Sequence, residues 1–535
     1  MLFPQPTVRI FSRVFTAIAV SATCCVLALT ALAQDVLTYH NNNARNGLNN
    51  KETILTLANV NSASFGKLFT VPADGLVDAE PLYISAVKIA GVTHNVLIVV
   101  SEHGTVYAYD ADTGASLWQI TTLKAGETSS DKRGCSQVSP EIGITSTPVI
   151  VRPKMGNPVI YVVAMSKDST GKYHQRLHAL DATNGKELKK GPVEIAAQYP
   201  GTGDNSSGGN VIFDPAQYKE RSGLLVIGGT IYLAWASHCD FRPYTGWIMG
   251  YNMNTLAQTT VLNVTPNGNE GAIWGAGAGM AADGTGNIFF LDANGLFDTS
   301  LNSSGFPSSG DYGNAFMHLT TAGGLAVADY FEMDNEASEN AGDVDLGSGG
   351  TVLVTEKDTA GKSWNLAVGA GKDSNLYVVD RTNMGKFSSS TNNIYQELAG
   401  VLPGGMWAMP AALGTNVYCG PVGSPILAFQ FKNAKLQASA VAKTTNSFGY
   451  PGTTPSISAN NGQNGIVWAA ENVNTAVLHA YNAKTLIELY NTNQAANGRD
   501  HFGTGNKFIT PMIAAGKVYV GTTNGVGVFG LLSGK

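Results

Sequence analysis

Val106-Tyr107-Ala108-Tyr109-Asp110-Ala111-Asp112-Thr113-Gly114-Ala115-Ser116-Leu117-Trp118 reads as a strand, a tight turn and a second strand. Gly114 supplies the positive φ that such a turn needs, and Asp110 and Thr113 are suited to bond back onto turn amides. Trp118 offers a large flat apolar face for packing between neighbouring units. Weaker copies recur at 177–185, 247–251, 376–380 and 477–481. The chain is therefore an array, and its period decides the architecture.

Each unit opens on a small residue, proline and apolar residues, or a close variant, as at Pro81, Pro148, Pro410, Pro455 and Pro511. An alternating strand, an aromatic-rich strand and a turn follow. About eight such units, each of about 45–75 residues, predict an all-β, eight-bladed β-propeller with four-stranded antiparallel blades. One blade alone leaves an apolar face open, which only its neighbour covers, so the ring has to close. Residues 36–71 are expected to supply strands to the last blade, and residues 34–535 to form a single domain.

The composition agrees. Among 535 residues there are 62 glycines and 21 prolines, and only 13% are charged. That suits short strands joined by tight turns better than helices. Residues 1–33 read as a secretory leader: Arg9 and Arg13 head an apolar run from Val14 to Leu32, and Ala31-Leu32-Ala33 fits a cleavage site. The protein is thus expected to be periplasmic or secreted, with no membrane span after cleavage. Losing two arginines of 33 bases leaves 31 against 39 acids, a balance of −8 that argues against a nucleic-acid partner. Cys24 and Cys25 leave with the leader; Cys135, Cys239 and Cys419 allow at most one internal disulfide. No Cys-x-x-Cys-His is present, so no c-type haem is expected.

The Ala108-x-Asp110-x-x-Thr113-Gly114-x-x-x-Trp118 pattern resembles the tryptophan-docking motif of quinoprotein alcohol dehydrogenases. Those are eight-bladed propellers that bind pyrroloquinoline quinone (PQQ) and calcium. PQQ-like repeat proteins without catalytic activity share the blade motif, so it speaks for fold more than for activity. Carried over residue by residue, the resemblance implies that Asn294, in the segment 287–298, and Asp240, after Ser237-His238-Cys239, ligate calcium. It implies that Trp274 lies beneath the quinone and that Lys372, heading an apolar strand, touches its oxygens. Asp345 in Asp343-Val344-Asp345-Leu346-Gly347 takes the place of the catalytic base, with Asp343 as the alternative. Four departures stand beside these matches. The vicinal cysteine pair is absent, Asp240 is one methylene shorter than the family glutamate, Val344 replaces a tryptophan, and Ala293 replaces a glycine.

The residue types suit the chemistry. Calcium takes hard oxygen ligands; a carboxylate accepts a hydroxyl proton; a cation beside a quinone oxygen stabilises developing negative charge. Plainer roles also exist: Asn294-Gly295 is a hairpin turn signal, and Asp345 could cap a turn before Gly347. Two readings follow. In one, the chain is a PQQ- and calcium-dependent dehydrogenase that oxidises an alcohol or sugar hydroxyl and passes electrons to a separate acceptor. In the other, it is a non-catalytic propeller that binds a protein or cell-surface partner.

Overall fold

The computed structural model describes residues 1–4 and 34–532. Residues 5–33, which carry nearly all of the expected leader, lie outside the described residues. Ala33–Lys535 forms one compact unit. Among the described residues no helix is long and apolar enough to cross a membrane, and Glu336–Ala341 is the single α-helix.

Apart from this helix, five short 3-10 helices and the connecting loops, the described residues form short, mostly antiparallel sheets that follow one another along the chain, a β-propeller architecture. The sheet opened by Leu82–Ile89 shows how the sequence builds one. Leu82–Ile89, Val92–Val100, Thr105–Asp110 and Ser116–Thr121 pair in that order. The end of the second strand, Val96 to Val100, is buried on both faces, because a neighbouring sheet covers each side. The fourth strand is half-exposed: Ser116, Gln119 and Thr121 face solvent, while Leu117, Trp118 and Ile120 are partly buried. Between the third and fourth strands, Gly114 has φ 77°. Asp110 Oδ1 accepts from the amides of Asp112 and Thr113 at 3.0 and 2.8 Å. Trp118 reaches the next sheet, donating from Nε1 to the Ala182 carbonyl at 3.0 Å. It lies so close to Gly185 that a Cβ there would sit 2.8 Å from the indole ring. One layer back, Phe69 packs on Gly114 in the same way. Aromatic-on-glycine docking thus links consecutive modules, as the repeat predicted.

Closure joins the two ends of the chain. Phe65–Pro72 pairs antiparallel with Gly525–Leu531, completing the sheet that Met512–Ala514 begins. Val71, Met512, Tyr519 and Val528 share one apolar core with Leu97, Ile150 and Ile160, so the core runs across this seam.

The stretch before that strand does something different from the expectation. Only Phe65–Pro72 joins the last sheet; residues 36–49 instead bond in turn to a strand of one larger sheet after another. Val36 exchanges two backbone bonds with Tyr83, both 2.9 Å, and the Leu37 carbonyl accepts from Ile150. Asn43 Nδ2 donates to Val226. The carbonyls of Asn43, Ala44, Asn46 and Gly47 accept from Ala282, Leu353, Ala412 and Ile457. Asn49 Nδ2 donates to Ile513. A segment that changes partner every one or two residues has no period of its own, which is why its pattern reads as loop. It turns through left-handed positions at His40, Asn41, Arg45 and Gly47. Arg45, fully buried, pins it with bonds to the carbonyls of Met280, Tyr39 and Leu224 and to Thr38 Oγ1. The segment is a strap laid through the hub.

Gln198–Pro200, Ser206–Ser207 and Asn210–Ile212 form a separate small three-stranded sheet.

Candidate active site

The segments that enter the first strand of a sheet and those that leave its second strand lie on one face of the array, because the two strands are antiparallel. Lys219, Arg221, Trp274, Asp345 and Trp407 lie on entering segments; Asp240 and Lys372 lie on leaving ones. Together with Asp343, Cys239 and Gln137 they line one pocket of about 90 Å³.

Asp345 is the best-defined group in it. Its side chain is 6% exposed, and Oδ2 lies 2.5 Å from Lys372 Nζ. Oδ1 accepts the backbone N–H of Asn294 at 2.8 Å. Burial pushes the carboxyl up to about 6, against the pull of the Lys372 ammonium. Burial disfavours the charged form of Lys372, but Asp345 and Asp343 outweigh it and hold the lysine above its ordinary value. Asp343 is unlike its neighbour. Its side chain is 71% exposed. It anchors Lys372 Nζ through Oδ1 at 2.9 Å and its carbonyl at 3.0 Å. It also accepts from Asn294 Nδ2 at 3.1 Å. Of the two aspartates, only Asp345 is enclosed.

Asn294 has its amide nitrogen committed to Asp343, while its Oδ1 is buried without a hydrogen-bond partner. An orphaned hard oxygen suits a cation. Asp240 sits on a turn with left-handed φ at both Cys239 and itself. Its Oδ1 accepts from Ser237 Oγ at 2.8 Å and Tyr244 Oη at 3.0 Å. Among the described residues no three His, Cys, Asp or Glu side chains are arranged to hold a metal. Of the residues that the resemblance singles out, Asp240, Asn294 and the already paired Asp345 supply the hard oxygens here. Trp274 and Phe508 pack edge-to-face at 6.4 Å, and the Arg221 guanidinium lies over both rings, 5.7 Å from the indole and 4.2 Å from the phenyl centroid.

Four features escaped the sequence reading. Lys219 and Arg221 are both buried. Neither has a carboxylate within ion-pairing distance: Lys219 Nζ is 3.9 Å from Cys135 Sγ, and Arg221 donates to Gln137 Oε1 at 3.4 Å. Their signal was present, since charges heading the apolar run 224–227 follow the logic that singled out Lys372. Cys135 and Cys239 form a disulfide across 104 residues, which leaves Cys419 free and buried. Trp407 reaches the pocket from the loop before Ala411–Leu413.

No family model matches the sequence, and no curated relative matches it. Solved structures do match over most of its length. The quinohemoprotein alcohol dehydrogenase from Comamonas testosteroni aligns with TM-score 0.60 at 15% identity, covering 94% of this chain and 81% of that one. The quinohemoprotein alcohol dehydrogenase ADHIIG from Pseudomonas putida HK5 aligns at 0.61 and 13%, over 93% and 80%. A europium-containing methanol dehydrogenase aligns at 0.60 and 13%, over 93% and 98%. At these identities the likeness is one of fold: a PQQ-like β-propeller resembling the quinoprotein alcohol dehydrogenases.

Proposed function

We propose that this chain is an exported dehydrogenase of the quinoprotein type, built as one domain of eight blades over residues 34–535, that oxidises an alcohol or sugar hydroxyl. One observation carries the reading: Asp345 is enclosed, ion-paired to Lys372 and bonded to Asn294, in the same pocket as Trp274 and Asp240. Residues far apart in sequence that the family resemblance singles out, Asp240, Trp274, Asp345 and Lys372, line this one pocket, and that supports the reading.

The donor chemistry suits PQQ and calcium. The buried Asn294 Oδ1 and the Asp240 carboxylate offer hard oxygens. Trp274 offers a flat face, and the unpaired cations Lys219 and Arg221 suit the carboxylates of an anionic quinone. When bound, that quinone supplies the two-electron sink and the ion polarises its carbonyl. The protein's own part is proton transfer and positioning. Asp345, pushed up to about 6, is ionised near neutral pH and basic enough to accept a hydroxyl proton. Lys372 holds that carboxylate in one orientation, and Asp343 holds Lys372. On this reading the electrons pass to a separate acceptor.

One observation favours the non-catalytic reading. The pocket is about 90 Å³, against roughly 300–1,000 Å³ for most small-molecule sites, and Arg221 lies over Trp274. A three-ring ligand enters only if Arg221 withdraws. Reconstitution with PQQ and Ca²⁺ separates the two readings. A shift in absorbance and melting temperature, followed by dye reduction with members of an alcohol and sugar panel, supports the enzyme. No shift at saturating PQQ leaves a propeller whose rim serves a protein partner.

A further inference from the structure

The Cys135–Cys239 bridge stands in an unusual setting. It joins two loops 104 residues apart at the wall of the pocket. Cys239 lines that pocket, whereas Cys135 is 2% exposed. Lys219, which lines the same pocket and is also 2% exposed, directs its ammonium at Cys135 Sγ at 3.9 Å. Burial and the nearby Arg221 bring Lys219 down to about 7, while Glu102, Asp78 and Asp240 act the other way without touching it. A buried ammonium without a contacting anion is costly, and the cost falls if an anion forms beside it.

We propose that this disulfide is a reversible redox site for a small thiol reductant, with Lys219 stabilising the thiolate released from Cys135. The geometry sets the direction of attack. A thiolate entering the pocket meets the sulfur of Cys239 and forms a mixed disulfide there. The Cys135–Cys239 bond breaks, and its electron pair leaves on Cys135 Sγ, next to the ammonium. A second thiolate then attacks the mixed disulfide, releasing the oxidised reductant and a Cys239 thiolate that takes a proton from water. Two thiols are oxidised to one disulfide, and one protein disulfide is reduced to two thiols. A cation beside the leaving sulfur lowers its pKa, which speeds departure and stabilises the reduced form. Reduction also removes a tether from the left-handed turn that carries Asp240, which is then held by Ser237 and Tyr244. Cys419, buried with its thiol pushed up to about 12, takes no part. The inference does not depend on the dehydrogenase reading.

The test uses the full mature chain in dithiothreitol redox buffers, with acid quenching, alkylation and mass spectrometry. The pair should reduce reversibly while the chain stays folded. Lys219→Met should shift the equilibrium at least tenfold toward the disulfide, about 30 mV for a two-electron couple. Brief exposure of the wild-type protein to 2-mercaptoethanol should trap an adduct on Cys239. An adduct on Cys135, reduction only in denaturant, or a Lys219→Met equilibrium within twofold of wild type overturns the proposal. If Lys219→Met does not fold, the wild-type adduct site decides alone.

Discussion

Replacing Arg45 by methionine should destabilise the whole propeller by about 3–5 kcal/mol. Its guanidinium donates to the carbonyls of Met280 and Tyr39 at 2.9 and 2.7 Å, to Leu224 at 3.3 Å, and to Thr38 Oγ1 at 2.7 Å. Methionine fills most of the volume but donates nothing. The carbonyls of Met280 and Tyr39 lose this donor, and Leu224 and Thr38 keep only the long 3.5 Å bond between them; at roughly 1.5–2 kcal/mol for each of the four groups, the loss is about 6–8 kcal/mol in all. Against that, burial pulls the guanidinium down to about 10. The variant is free of that charge penalty, about 3 kcal/mol. The remainder matches what is lost when one member of a buried charged network is removed, about 3–5 kcal/mol. Urea unfolding of the mature chain, followed by tryptophan fluorescence, measures it directly. Arg152→Met is the control: that arginine pairs with Asp35 near the surface at 2.8 Å, its side chain 35% exposed, and should shift stability by under about 1 kcal/mol. If Arg45→Met lies within 1 kcal/mol of wild type, the hub segment is not anchored as described.

Four other expectations are open to simple assays. Asp345→Asn should lower kcat of the reconstituted enzyme by roughly 10²–10⁴-fold while quinone binding, read by absorbance, persists. In wild type kcat/KM should rise with pH through about 6, because the base works only when ionised. His479 lies between Glu471 at 3.0 Å and Glu488 at 2.7 Å. Burial opposes its charge, but the two carboxylates prevail and raise its pKa. Its folded form therefore binds a proton more tightly than its unfolded form. The stabilisation is full below the unfolded histidine value of about 6.5 and is lost as pH rises through the raised folded value. His479→Gln should flatten that slope in urea midpoints taken from pH 5.5 to 8.5. Gly185→Ala puts a Cβ at φ 71° and 2.8 Å from the Trp118 ring. A loss of about 2 kcal/mol or more in the melting curve is expected, and a neutral result would show that the docking contact is loose.

The modules were legible because each carries its own instructions. An alternating run, an Asp-x-x-Thr-Gly turn and a docking tryptophan are local, and local patterns survive in one sequence. Asp240, Asn294, Trp274, Asp345 and Lys372 were found through resemblance, and the fold brings their loops to one face. The roles of Asp343 and Asp345 separated only with burial, which sequence does not report for two acids two residues apart. Lys219 and Arg221 carried the same signal as Lys372 but lay outside the motif. The Cys135–Cys239 pairing spans 104 residues and obeys no spacing rule. The hub strap was the largest surprise: its asparagines and left-handed turns spell loop, and its order comes from partners up to 464 residues away.

Ordinary repeat arrays couple each unit only to its neighbours, so they can fray or melt piecemeal. Here fourteen residues, 36–49, act as an axle on which every spoke bears. A fault in any one module reaches all the others in a single step, through a shaft they hold in common rather than around the rim. This segment precedes every spoke along the chain, yet it cannot finish seating until the last spoke exists, because Ile513 belongs to the final sheet. Such a wheel should turn from unfolded to native as one object, and a lesion in those fourteen residues should be felt everywhere.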